Sequence, residues 1–105
     1  MENVIANRQF LCKLSDKSSL AQGKKLIKNS TNEEISLIIE IIQNYQNFIG
    51  KPNKDVTFLL KIKWEPKTVR SMVIKHFVKV KAVMSAVVLF LLENNFIDCI
   101  NNADL

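Results

Sequence analysis

Glycine and proline are scarce, two of each in 105 residues. A β-sandwich or barrel needs a tight turn about every 8–12 residues, and those turns lean on these two residue types. Their shortage leaves helices as the expected element. Histidine occurs once, at His76. Catalysis by nucleophile and base, or a histidine-containing metal site, would need partners to converge on that one side chain, and its apolar helical setting points to a core residue. No glycine-rich phosphate loop, HExxH or CxxC pair is present. The expectation is a non-enzymatic protein with no catalytic residues, no metal site and no cofactor. The two cysteines, Cys12 and Cys99, lie near opposite ends. Buried reduced thiols are the first expectation, and a disulfide joining the ends is the alternative.

Long hydrophobic runs are missing too. The longest uncharged stretch, AVMSAVVLFLL from Ala82 to Leu92, falls well short of the roughly 20 residues a membrane-spanning helix needs. The opening MENVIANRQF has neither the basic nor the apolar region of a secretory signal. No membrane span is expected, and the location is read as intracellular. Acidic residues thin out where basic ones crowd. Residues 51–81 carry nine Lys/Arg against two acids, whereas 82–105 carry three acids and no base. Of the net +5, the middle third therefore holds a local excess of +7.

What is plentiful is apolar: 48% of the chain, against 24% charged. That composition folds without help from metals, and the length suits one helical domain over 1–105. The pattern predicts an all-α fold, a compact bundle of five or six short helices around a central Ile-rich helix. The first helix is expected from about Val4 to Leu14. The second is LAQGKKLIK, capped by Ser18 or Ser19 and burying Leu20, Leu26 and Ile27, with Gly23 as a weak point. Thr31 and Glu34 form a capping box for the third, ISLIIEIIQNYQNFI, which stops at Gly50. Its polar residues Ser36, Glu40, Gln43, Asn44 and Asn47 occupy one narrow stripe, so the rest is set to be buried centrally or against a partner chain. DVTFLLKIKW alternates like a strand but has no partner strand and is read as a short helix. Pro66 opens the next helix, with Val69, Met72, Val73, His76 and Phe77 on its core face. The last helix runs from about Val80 to Glu93, and FIDCI is expected to fold back onto the core.

Several of these segments, FLCKLS, KKLIKNSTNEEISLIIEIIQN, KTVRSMVIKH and VKVKAVMSAVVLFLLENNFI, resemble a family of small basic proteins. The family is encoded by Maverick/Polinton elements and their virus relatives, the adintoviruses. Its pattern is a helix ending in Leu-Leu-Lys, a Thr-Asp/Glu joint, a helix of the form I-x-x-L/I-x-E-x-x-x-N, and a Lys/Arg-rich helical segment. Leu26, Ile27, Lys28, Thr31, Ile35, Ile38, Glu40 and Asn44 match it without gaps, and the likeness covers roughly residues 8–97. The resemblance implies a viral or transposon-derived protein, associated with the virion or the genome. The chain departs from the family's Gly-Gly-Phe-Leu segment, reading Asn94-Asn95-Phe96-Ile97 there. Neither a Gly-Gly cleavage site nor a membrane-active tail is carried over.

Lys61, Lys63, Lys67, Arg70, Lys75, Lys79 and Lys81 are the candidate nucleic-acid-binding residues, a basic ridge facing phosphates. A plain solvated surface is the competing explanation for them. Lysine outnumbers arginine 13 to 2, and base reading leans on bidentate arginine, so any contact should be to the backbone and non-specific. The alternative function is a protein-protein interaction module, either a homo-oligomer or a binder of a capsid or host protein. Its candidate interface is Ile38, Ile41, Ile42, Tyr45, Val87 and Phe90. Insertion of the 82–92 run into a membrane surface ranks behind both.

Overall fold

The computed structural model describes residues 8–15 and 20–95. Among them the chain is entirely helical: α1 (Arg8–Ser15), α2 (Leu20–Lys28), α3 (Asn32–Gln43), α4 (Tyr45–Ile49), α5 (Lys54–Leu60), α6 (Val69–Lys75) and α7 (Phe77–Glu93). No strand occurs among the described residues, so DVTFLLKIKW is the short helix expected, ending at Leu60. Val4 to Arg8's neighbour, the Ser18/Ser19 cap and the FIDCI segment lie outside the described residues.

Among the described residues seven helices stand in place of five or six because the expected third helix is interrupted. Asn44 breaks the third: its side-chain Nδ2 donates to the Glu40 carbonyl at 2.8 Å, and its backbone φ of −109° and ψ of 16° leave the helical region. A short polar side chain that competes for backbone groups is a common helix terminator. Asn44 then accepts from Asn47 N–H (2.9 Å), which starts α4. That helix ends at Gly50, whose φ of 71° is the left-handed cap expected of it. The boundary between the last two helices, expected just before Val80, falls at His76 instead, with φ −107° and ψ 29°, so α7 starts at Phe77.

Pro66 does not open a helix. The Thr68 N–H donates to the Glu65 carbonyl at 2.9 Å, closing a turn in which Pro66 occupies the second position. Proline's fixed φ suits that position as well as it suits a helix start. The helix begins three residues later, at Val69.

Helix α7 packs against each of the other six helices, and α3 packs against α4, α5 and α7. The element at the centre is therefore α7 rather than the isoleucine-rich α3. The reason is periodicity: Phe77, Val80, Val83, Met84, Val87, Val88 and Leu91 are all buried and cover most of its circumference. On α3, Ile35, Leu37, Ile38, Ile41 and Ile42 are buried, each contributing about 1.5–3 kcal/mol of gross transfer energy. The two helices share one continuous core with Leu11, Leu14, Ile27, Leu59 and Val73.

This packing corrects the interface expectation. Ile38, Ile41, Ile42, Tyr45 and Val87 lie within the fold, and Phe90 is partly buried against the same core. None of the first five presents surface to a partner. Leu20 is corrected in the opposite direction: expected in the core, it is 47% exposed. Cys12 is buried, as expected; Cys99, and with it any pairing of the two, lies outside the described residues.

Gly23 has a packing role. Helix α2 crosses the start of α7 so closely that a Cβ on Gly23 would run into Cζ and Cε2 of the Phe77 ring. With Phe77 itself 1% exposed, the ring has nowhere to go. A residue that lowers helix propensity is here the condition for two helices to touch.

Candidate functional site

The basic segment begins in the connection between α5 and α6. Lys61, Lys63 and Lys67 are exposed there. The connection is held in place by Trp64, whose Nε1 donates to the Leu59 carbonyl at 3.0 Å, and by the turn closed at Thr68. Lys63 reaches Glu65 at 3.5 Å, with 88% of its side chain accessible. A pair so open to solvent holds neither group firmly. Six peptide steps separate Lys61 from Lys67, so the three ammonium-bearing residues span at most about 20 Å of backbone.

Arg70 behaves differently. Its Nη1 donates to the carbonyls of Ile27 (2.8 Å) and Ser30 (2.7 Å) and to Ser30 Oγ (3.3 Å), while Nη2 donates to Asn32 Oδ1 (3.0 Å). The guanidinium thus sits on the C-terminal end of α2, where carbonyls lack helical partners and the helix dipole is negative. It fastens α6 to the α2–α3 joint rather than facing outward as part of a ridge.

The remaining three divide again. Lys79 pairs with Asp55 at 3.4 Å and lies 4.8 Å from the centre of the Phe58 ring, a cation held over an aromatic face. Lys81 follows two positions later on α7, about 200° further round the helix. Lys75, at the end of α6, is exposed. Lys75 and Lys79 line one small depression together with Lys24. Lys67 and Arg70 line a separate groove of about 720 Å³ between α3 and residues 64–71, with Ile39, Glu40, Trp64 and Val69. Four of the seven basic residues thus fall on two different concavities, Lys67 and Arg70 on one and Lys75 and Lys79 on the other, with Lys61, Lys63 and Lys81 on neither.

His76 is half-buried instead of lying in the core. Its ring meets Phe58 edge-on, with centroids 5.2 Å apart. Among the described residues no three His, Cys, Asp or Glu side chains gather where a metal ion could be held, and no helix is long and apolar enough to cross a membrane.

Sequence reasoning passed over Lys24, Leu20, Val78 and Asp55. The i, i+4 spacing of Leu20 and Lys24 on α2 was a usable signal for the first two. The pairing of Asp55 with Lys79 joins elements 24 residues apart and had no local trace. Comparison with protein-family profiles, curated proteins and solved structures finds no match to this chain.

Proposed function

We propose that the chain is a non-enzymatic, small basic binding protein of a virus-like element, associated with its virion or genome, that contacts nucleic-acid backbone through lysine. The observation carrying this reading is the trio Lys61, Lys63 and Lys67. They are exposed on one short connection whose single acid is Glu65. Lysines on an anchored connection neutralise phosphates and release counterions without reading bases. The setting is supported by the match of Leu26 to Asn44 to the Maverick/Polinton and adintovirus pattern.

The test is charge reversal. Lys61→Glu, Lys63→Glu and Lys67→Glu together are expected to abolish retention of a labelled single-stranded oligonucleotide in a gel-shift assay at low salt, with the thermal melt unchanged. Undiminished retention by the triple variant would refute the reading.

A second reading, a protein-interaction module, is favoured by the outward face of α7. Val78 and Leu89 are 67% and 56% exposed, and with exposed Ala82 they fall on one side of the helix. This face replaces the buried residues first expected to serve as an interface. A concentration-dependent sedimentation coefficient that Leu89→Glu removes would support self-association through it.

A further inference from the structure

Helix α2 and the α6–α7 junction enclose a depression of about 150 Å³, lined by Leu20, Lys24, Lys75, Phe77, Val78 and Lys79, together with His76. Cavities of about this size hold a single benzene-sized group. The floor is the buried Phe77 ring, and the rim carries two of the five large apolar side chains most exposed on the described surface, Leu20 and Val78. Three lysines from three elements line it and no acid does among the described residues; Lys79 is paired with Asp55, which leaves Lys24 and Lys75 as the excess charge. An apolar seat ringed by excess positive charge has a defined complement. We propose that this depression docks an acidic peptide, seating one large apolar side chain between Leu20 and Val78 while Lys24 and Lys75 face the flanking carboxylates.

The chemistry favours a peptide over nucleic acid. Bases are gripped by stacking on exposed aromatic faces, whereas of the two rings lining this seat Phe77 is 1% exposed and His76 is half-buried against Phe58. A membrane surface is disfavoured by extent, since anchoring needs a long apolar face and not one seat. The inference rests on the protein-interaction reading, to which it gives a location and a ligand chemistry. It is independent of the Lys61–Lys67 connection.

The test uses the full chain and a fluorescein-labelled peptide of sequence DEDEFDEDE, followed by anisotropy. Saturable binding is expected, weakened about tenfold when the peptide's Phe is replaced by Ser, the loss of one buried aromatic contact. Val78→Glu and Leu20→Glu are expected to weaken binding by at least the same factor, and Lys75→Glu to flatten its salt dependence. All three positions are at the surface, and thermal melts check that the fold is kept. The Lys61/Lys63/Lys67 charge-reversal variant is expected to bind the peptide with little change.

Absence of saturable binding, equal binding of the Phe-free peptide, or indifference to both Val78→Glu and Leu20→Glu would each overturn the proposal. So would an oligonucleotide or anionic phosphatidylserine vesicles whose binding, unlike the peptide's, is lost in Val78→Glu. Loss of self-association in Val78→Glu with no peptide binding would assign the depression to a second copy of the chain. That result would end the peptide inference while leaving the protein-interaction reading standing.

Discussion

Arg70 and Gly23 each have a structural role that their residue type alone does not announce. Arg70 spans from α6 to the carbonyls of Ile27 and Ser30 at the end of α2, and hydrogen bonds from a charged donor contribute more than neutral ones. Replacing it by alanine is expected to cost about 2–3 kcal/mol in urea unfolding, and Arg70→Lys only somewhat less, because an ammonium cannot reproduce the planar fork. Neither variant should alter oligonucleotide retention at a temperature where the fold is intact. Gly23→Ala presents the opposite sign of error. The helix-propensity gain of up to about 1 kcal/mol is outweighed by overpacking against Phe77, for a net loss of about 1–3 kcal/mol. Shrinking the ring with Phe77→Leu should reduce the cost of Gly23→Ala, and a double-mutant cycle measures that coupling.

At the level of elements, helix ends are set by short polar side chains. Thr31 Oγ1 accepts from Glu34 N–H at 3.1 Å, and Thr31 N–H donates to Glu34 Oε1 at 2.8 Å, closing a reciprocal cap on α3. Thr31→Ala is expected to lower stability by about 1 kcal/mol, while Glu34→Gln retains most of the cap because its amide oxygen still accepts. Denaturant melts of the two variants distinguish these outcomes. Asn53 does the same for α5, accepting from Asp55 N–H (2.7 Å) and Val56 N–H (3.3 Å) while its Nδ2 donates to Tyr45 Oη (3.3 Å). The capping box and the Gly50 stop were legible because their partners lie within a few residues of one another. The Asn44 break was not, since the same asparagine also fits a continuous polar stripe.

For the molecule as a whole, the question is which charges face outward together. Arg70 is occupied at a helix end, Lys79 on Asp55 and Phe58, and Lys75 lies on the depression beside α2; the 61–67 lysines, exposed on one connection, are the proposed phosphate-facing group. Three phosphate contacts to a single strand give a log–log salt slope near −2, so affinity should fall about 20-fold between 50 and 200 mM salt. A much steeper slope would mean that more of the basic segment takes part than this trio. The same view of the surface separates Leu20, Val78 and Leu89, which stand outside the core, from the isoleucines of α3, which do not.

The sequence by itself determined the helical class, the positions of most helices and the mark of Thr31 and Gly50 at two of their ends. These depend on turn-forming residues, 3.6-residue periodicity and hydrogen bonds within a few residues, all of which are local. Tertiary structure alone decided that α7 is the central element, that five of the candidate interface residues are buried, and that Arg70 faces inward while Leu20 and Val78 face water. A side chain's exposure depends on which distant helix covers it, and linear spacing does not encode that pairing.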